Sequence, residues 1–311
     1  MTQVCEDWFP MGTYKHQKKA GFYMEDILKQ QIDILLKNIV KDWDFTIIIT
    51  GGGEVRVGKS VLAMHIAAYW AYQMWKVHKK KVPFDLDANF VFDGKKLIQK
   101  GNELGQHYPY SPLIFDEAGA ELEGKKIMQG STQEVLDYFR ECGQYNLLNI
   151  LVMPEYFDLP KGIALSRAIF LIDVYYTADE TGLFQRGFYN FYSRRNKKYL
   201  YLKGKRELNY SAHKYNFHGQ YFNFYPVDEK KYRKLKQDAL IHRQSKSRSK
   251  FQPQRDASWY LLSHEGLQCK CGEVLKLNQT NLAQRMEQMT GIYVHRTTLG
   301  DGIKHFVLEN E

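Results

Sequence analysis

The sequence is poor in cysteine and has no long apolar run. Its four cysteines, Cys5, Cys142, Cys269 and Cys271, are too few and too scattered for a disulfide framework. No stretch approaches the roughly 18 consecutive apolar residues that a membrane span needs. Residues 1–20 also lack the apolar core of a secretion signal. These absences favour a cytoplasmic protein with no membrane span.

Positive charge is what the chain has in excess. The net charge is +9 and the pI is about 9.1, which favours an acidic polymer such as DNA as a partner. Between residues 229 and 250, nine Lys or Arg residues stand against two acidic ones. This run is typical of a solvated linker, of a contact surface, or of both, and we predict a basic linker over 229–254.

A glycine-rich loop carries the clearest chemical signal. It follows an apolar strand predicted over 45–50 and precedes a helix predicted from Lys59 to about Val77. In a G-x4-G-K-S loop the backbone N–H groups cradle phosphates, the lysine reaches the β- and γ-phosphates, and the serine hydroxyl binds Mg²⁺. The sequence therefore predicts an ATP and Mg²⁺ site. The nucleotide-binding residues are Gly53, Glu54, Val55, Arg56, Val57, Gly58, Lys59, Ser60 and Val61.

Two consecutive carboxylates end another apolar strand, predicted over 112–115. Asp116 has the chemistry of a Mg²⁺ partner, and Glu117 that of the base which activates the attacking water. A helix cap is the alternative role for such a pair. Because 56 residues, with a helix and a strand, separate the pair from Lys59, we favour the catalytic role.

Short apolar strands alternate with amphipathic helices along the first two thirds of the chain. This alternation predicts an α/β fold with a mainly parallel sheet covered on both faces. After Tyr175 the pattern changes, and alternation on either side of 194–197 predicts a β-hairpin. The predicted helices are 25–42, 93–104 and 132–144, the further strands are 89–92, 147–153 and 168–174, and the hairpin strands are 185–193 and 198–203.

The strand predicted over 147–153 could supply a residue that senses the γ-phosphate, either Asn149 or Glu155. In oligomeric ATPases an arginine from a neighbouring subunit also contacts this phosphate. Arg140 and Arg167 lie next to core strands and are candidates for that catalytic role. Each could equally form a surface salt bridge.

The order of these motifs resembles the P-loop ATPases of the FtsK/HerA superfamily, and most of all the zonula occludens toxin-like branch. The resemblance runs from about Phe45 to Leu202 and includes the GKS loop, the Asp116-Glu117 strand and the stretch Asp158-Leu159-Pro160. It implies a RecA-like P-loop NTPase domain, a three-layer sandwich with a mainly parallel sheet. It further implies ring-shaped homo-oligomers, often hexamers, that move DNA or assemble virions.

Two features depart from this pattern. Members of the superfamily often carry Thr-Gln at the end of the fourth strand, where this chain has Met153-Pro154-Glu155. Phage assembly members also carry a transmembrane helix, which the sequence does not show. These differences weaken a role in virion extrusion and leave DNA handling as the implied role.

The C-terminal residues 255–311 predict a small helical unit. A helix over 281–289, a turn at Gly291 and a second helix from 297 to 306 resemble a helix-turn-helix. A protein-docking domain is the alternative. In the helix-turn-helix interpretation, the second helix presents its first residues to bases, and basic side chains meet phosphates. The predicted DNA-binding residues are Arg285, Arg296, Thr297, Thr298 and Lys304.

The chain is therefore predicted to hold an ATPase domain over 1–228 with an N-terminal arm and a hairpin extension, a linker over 229–254, and a helix-turn-helix-like domain over 255–311. The predicted function is that of an ATP-hydrolysing motor or packaging ATPase acting on DNA, of the kind mobile genetic elements carry. Two alternatives stay open. One is a nucleotide-dependent DNA-binding switch, and the other is an assembly ATPase that acts on protein subunits.

Overall fold

The computed structural model describes residues 1–13, 19–122, 130–246, 255–256, 258–260, 267–268, 274–275, 278–290 and 295–310. The chain divides into two compact units, Met1–Ala239 and Leu240–Glu311. The predicted domain boundaries stay a prediction.

The first unit alternates strands and helices, as the apolar pattern predicted. Its strands are β1 (Thr2–Val4), β2 (Phe22–Met24), β3 (Phe45–Thr50), β4 (Phe90–Val91), β5 (Pro112–Phe115), β6 (Leu148–Val152), β7 (Ala168–Ala178), β8 (Phe184–Tyr192) and β9 (Phe217–Gln220). Its helices are α1 (Asp26–Ile39), α2 (Lys59–Lys76), α3 (Leu86–Asn89), α4 (Gly94–His107), α5 (Gly119–Leu122), α6 (Gly130–Glu141) and α7 (Arg194–Gly204), followed by α8 (Glu229–Lys246), which continues past Ala239.

One seven-stranded sheet forms the centre of this unit, in the order β4-β5-β6-β3-β7-β8-β9. The five strands from β4 to β7 are parallel, and β8 and β9 are antiparallel to their neighbours. Ile47 of β3 pairs with Ile150 of β6 on one side and Phe170 of β7 on the other. The predicted α/β fold with a mainly parallel sheet is confirmed. Parallel strands end at the same edge, so the segments after β3, β5 and β6 meet there.

Apolar side chains cover both faces of the sheet. On one face the core includes Trp70 and Tyr69 of α2, and on the other it includes Leu97, Phe139 and Leu200 from α4, α6 and α7. Every residue of β3 is buried. Burial on both faces explains why its sequence, FTIIIT, does not alternate between apolar and polar residues.

The hairpin predicted around 194–197 is wrong in its second strand. Residues 194–204 form α7, and β8 instead pairs with the preceding strand β7. The Ser193 side chain accepts a hydrogen bond from the Asn196 N–H, which starts the helix. Lys197, Leu200, Tyr201 and Gly204 are buried at helical spacing. The same residues also fit an alternating pattern over a short stretch, so the sequence pattern was ambiguous.

The second unit contains α9 (Gln279–Thr290) and α10 (Arg296–Asn310), and a short antiparallel pair, β10 (Leu267–Gln268) and β11 (Val274–Leu275). The small strand pair was not predicted. In the core of the second unit, α9 packs against α10. The buried side chains of this core include Trp259, Leu282, Leu299 and Ile303. The turn predicted at Gly291 lies outside the described residues. In the described part of the chain, no helix is long and apolar enough to span a bilayer.

Candidate active site

The phosphate loop connects the end of β3 to the start of α2. Gly53 and Gly58 have φ angles of +79° and +105°, and Arg56, with φ at +60°, also adopts a left-handed conformation. The Gly53 N–H donates to the Pro154 carbonyl at 3.0 Å, and the Tyr221 hydroxyl donates to the Val57 carbonyl at 3.2 Å. The first bond fixes the loop to the chain that follows β6, and the second fixes it to the chain that follows β9.

Lys59 begins α2 and points back across the loop. Its ammonium group donates to the Glu54 carbonyl. Burial lowers the pKa of Lys59, against the opposite influence of the Glu117 carboxylate. A bound phosphate offers a stronger, charged acceptor than a peptide carbonyl. Lys59 is therefore placed to exchange an internal bond for a contact with a triphosphate.

Ser60 meets Asp116 across the sheet edge. The Ser60 hydroxyl lies 3.2 and 3.1 Å from the two Asp116 carboxylate oxygens. Asp116 is 1% exposed, and the Glu117 N–H donates to its Oδ1 at 2.9 Å. The pair follows β5, which is separated from β3 by β6 alone. This topology brings together residues 56 positions apart, as the sequence predicted.

The site suits a Mg²⁺-nucleotide in its donor chemistry. A serine hydroxyl and a carboxylate are hard oxygen ligands of the kind that Mg²⁺ prefers. Glycines with positive φ orient successive backbone N–H groups toward a shared anion. Glu117 itself has a φ of +61°, a conformation that costs a non-glycine residue energy and is concentrated at functional sites. The residues present thus fit the predicted ATP and Mg²⁺.

Of the two candidate sensors, only one lies near the loop. The Glu155 carboxylate lies beside Gly53 and accepts a hydrogen bond from the Tyr210 hydroxyl at 2.6 Å. Burial raises the pKa of Glu155, although the Tyr210 bond opposes that effect. Asn149 lies within β6 and is 3.3 Å from the Tyr138 hydroxyl in the core. Glu155 is thus the candidate that lies beside the loop, and its role as a sensor stays a prediction.

The two candidate arginines have different surroundings. Arg140 is exposed on α6 and pairs with Asp137 at 2.6 Å. Arg167 is partly buried and binds both carboxylate oxygens of Asp44, with one distance of 3.1 Å. Asp44 precedes β3 and Arg167 precedes β7, so this pair lies at the edge of the sheet opposite to the phosphate loop. Neither arginine joins the site within one chain, and their catalytic role stays a prediction.

Two residues of α8 reach the carboxylates, and sequence analysis missed both. The Tyr232 hydroxyl donates to Asp116, and the Lys236 ammonium lies 2.8 Å from Glu117 Oε1. Both residues fall in the segment predicted to be a basic linker, which the structure shows as helical to Lys246. Tyr232, Leu235 and Ala239 recur at helical spacing, and this apolar stripe was the signal that α8 packs on a core.

The predicted DNA-binding residues belong to the second unit and are exposed. Arg296, Thr297 and Thr298 form the first turn of α10. Arg285 lies on α9, and Lys304 lies two turns along α10. Exposure leaves them available to a partner, and DNA binding by them stays a prediction.

Comparison with known proteins gives only a distant likeness. No protein-family model matches the chain, and no curated protein matches it. Among solved structures, the chain is similar to the genome packaging NTPase B204 from Sulfolobus turreted icosahedral virus 2. The complex with AMP is 18% identical over 50% of this chain and 94% of that chain, with a TM-score of 0.34. The complex with ATP-gammaS is 18% identical over the same shares, with a TM-score of 0.33.

A similar match is the DNA-packaging ATPase from Sulfolobus turreted icosahedral virus, 18% identical over 50% of this chain and 95% of that chain, with a TM-score of 0.33. Similarity at this level neither assigns the chain to a family nor transfers an activity to it.

Proposed function

We propose that this chain is an ATP-hydrolysing P-loop enzyme, a motor or packaging-type ATPase that acts on DNA. One observation carries the proposal. The Ser60 hydroxyl meets the Asp116 carboxylate at 3.1 Å, beside the Lys59 loop and next to Glu117. A phosphate loop alone supports nucleotide binding. The adjoining carboxylates add the groups that hydrolysis needs.

Each group of site residues has its own role in the proposed hydrolysis. The loop N–H groups and Lys59 hold the β- and γ-phosphates, and Glu117 orients the attacking water and accepts its proton. Ser60 and Asp116 would hold Mg²⁺, which when bound would neutralise charge on the phosphate oxygens. Val61 and the rest of the first turn of α2 direct the positive end of the helix dipole at the phosphates.

Positive charge supports DNA as the substrate on which hydrolysis acts. The chain carries a net charge of +9, with nine Lys or Arg residues between 229 and 250. We extend the proposal to a homo-oligomer, such as a hexameric ring, in which a neighbouring copy completes the site with an arginine. Arg140 suits this role because its side chain is 68% exposed, whereas Arg167 is held by Asp44.

Replacing Glu117 with Gln tests hydrolysis directly. The variant keeps a hydrogen-bonding side chain of the same size but loses the base, so we expect ATP binding to be retained and turnover to fall by about 10²–10⁴-fold. Nucleotide affinity by calorimetry and phosphate release measure the two effects. Glu103→Gln, on the exposed face of α4, is the matched control. Parental turnover in Glu117→Gln would refute the assignment of the base.

The DNA part of the proposal needs a separate measurement. Phosphate release is measured with no DNA, with single-stranded DNA and with double-stranded DNA, alongside the molecular mass with ATP. A DNA-stimulated oligomer supports the motor. Slow turnover with ATP-dependent DNA binding indicates a regulatory switch instead, and turnover without any response to DNA indicates an assembly ATPase.

A further inference from the structure

The first turns of α8 dock on the catalytic carboxylates. The Asp228 carboxylate accepts hydrogen bonds from the Lys230 and Lys231 N–H groups at 2.8 and 3.0 Å, and so begins the helix. One turn later Tyr232 is buried against the rings of Phe90 and Phe92. This packing holds the helix in a fixed position at the end of β4, next to β5.

Lys236 follows Tyr232 by one helical turn and therefore lies on the same face. Its ammonium nitrogen is 2.8 Å from Glu117 Oε1 and 3.3 Å from Asp116 Oδ2. The ammonium group thus bridges the two carboxylates that follow β5.

Lys236 contacts the carboxylate that the proposed hydrolysis requires as its base. A general base must lie within a hydrogen bond of the attacking water, which in turn lies about 3 Å from the phosphorus. The Lys236 ammonium already occupies a hydrogen-bond position on Glu117. Asp116, the second carboxylate that Lys236 contacts, also meets the hydroxyl of Ser60, which follows Lys59 at the end of the phosphate loop. Lys236 thus lies at the carboxylates that adjoin this loop.

The ion pair also changes what Glu117 can do. While its Oε1 is bound by the ammonium group, that oxygen has no room for the attacking water. A γ-phosphate offers the ammonium more negative charge and more acceptor oxygens than one carboxylate does. Arrival of ATP would therefore offer Lys236 a stronger partner than Glu117.

We propose that Lys236 is a catalytic residue that binds the γ-phosphate from within the same chain. Its transfer from Glu117 to the γ-phosphate frees Glu117 to accept a proton from the attacking water. The water oxygen then bonds to phosphorus, the bond from phosphorus to the β–γ bridging oxygen breaks, and its electron pair leaves on ADP. Lys236 neutralises charge and exchanges no bond. This inference rests on the proposed ATPase function.

The test compares Lys236→Ala, Lys236→Arg and the control Lys203→Ala, which removes an exposed lysine from α7. Affinities for a non-hydrolysable ATP analogue and for ADP are measured by calorimetry, and turnover by phosphate release. ADP lacks the γ-phosphate, so loss of its contact lowers the affinity for the analogue alone. We expect Lys236→Ala to reduce the ratio of analogue to ADP affinity about tenfold.

Turnover should fall by at least as large a factor in Lys236→Ala, be partly kept in Lys236→Arg, and stay parental in Lys203→Ala. If Lys236→Ala instead hydrolyses ATP faster than the parent with an unchanged affinity ratio, Lys236 is only a clamp on the resting site and the inference is overturned. Failure of the parent to bind the analogue at all would refute the ATPase function itself. Thermal unfolding of each variant shows that the fold is retained.

Discussion

Asp173 is a buried carboxylate beside the phosphate loop, and it has no part in the proposed hydrolysis. It lies at the β7 position paired with Thr50, whose hydroxyl is 3.3 Å from Asp173 Oδ1. Burial raises its pKa to about 7, and the Thr50 hydrogen bond only partly opposes this effect. Near neutral pH a substantial fraction of this residue is therefore protonated in the folded chain.

The raised pKa gives a pH-dependent stability. Between pH 4 and pH 7 the folded chain holds a proton on Asp173 that the unfolded chain has lost, so the free energy of unfolding falls as pH rises. In Asp173→Asn this dependence is absent. We expect the melting temperature of the variant, relative to the parent, to rise from pH 5 to pH 7 and to level off near pH 8. The exposed Asp158→Asn is the control, and a pH-independent difference for Asp173→Asn would contradict the assignment.

The sequence predicted which residues of the two motifs lie close together, whereas their chemical roles stay predictions. The loop from Gly53 to Ser60 and the pair Asp116-Glu117 lie together at one sheet edge, as predicted. Lys236 was missed because a lysine within a basic run has no local signature of pairing. Arg167 likewise has its partner, Asp44, 123 residues away. Such contacts depend on the tertiary fold, which a local pattern does not contain.

Strands and helices with strong periodicity were predicted well, and short elements of mixed composition were not. The buried strand β3 and the helix α2 match their predicted ranges closely. Helix α7 was taken for a strand, because its apolar positions suit either period over so few residues. Helix α8 was taken for a linker, because its charge masked a narrow apolar stripe.

The contact between α4 and α6 depends on one glycine. Gly101 lies within α4, and a methyl group there would meet ring carbons of Tyr138 on α6 at 2.6 Å. Ala normally stabilises a helix interior by about 1 kcal/mol relative to Gly. At Gly101 the steric clash with Tyr138 should outweigh the higher helix propensity of Ala. We therefore expect Gly101→Ala to lower the free energy of unfolding by about 1–3 kcal/mol.

Urea denaturation measures this change. Gly162→Ala is the matched control, because a methyl group at that position would meet no atom within 4 Å. We expect the control to stay within about 0.5 kcal/mol of the parent. A stabilised Gly101→Ala would show that α4 and α6 can separate at no cost.

The α/β architecture followed from the sequence, whereas the location of the positive charge emerges only when basic and acidic residues are counted segment by segment. Residues 255–311, predicted to bind DNA, contain six Lys or Arg and seven Asp or Glu, a formal net charge of −1. Residues 229–250 contain nine basic and two acidic residues. Phosphate neutralisation is what makes DNA binding salt-dependent. The basic segment, more than the C-terminal helices, should therefore set that dependence.

Neutralising four cations of this segment tests where DNA binds. The variant carries Gln at Arg243, Lys246, Arg248 and Lys250, and its control carries Gln at Lys79, Lys80, Lys95 and Lys96, with the same change in net charge. Each lost phosphate contact flattens the slope of log affinity against log salt by about 0.9 for duplex DNA. We therefore expect the first variant to lose up to about 3.6 from the slope and the control to lose much less. Fluorescence anisotropy measures the affinity from 50 to 300 mM salt, about the range over which such contacts weaken. Equal losses of slope in the two variants would show that only net charge matters and that this segment is not the contact surface.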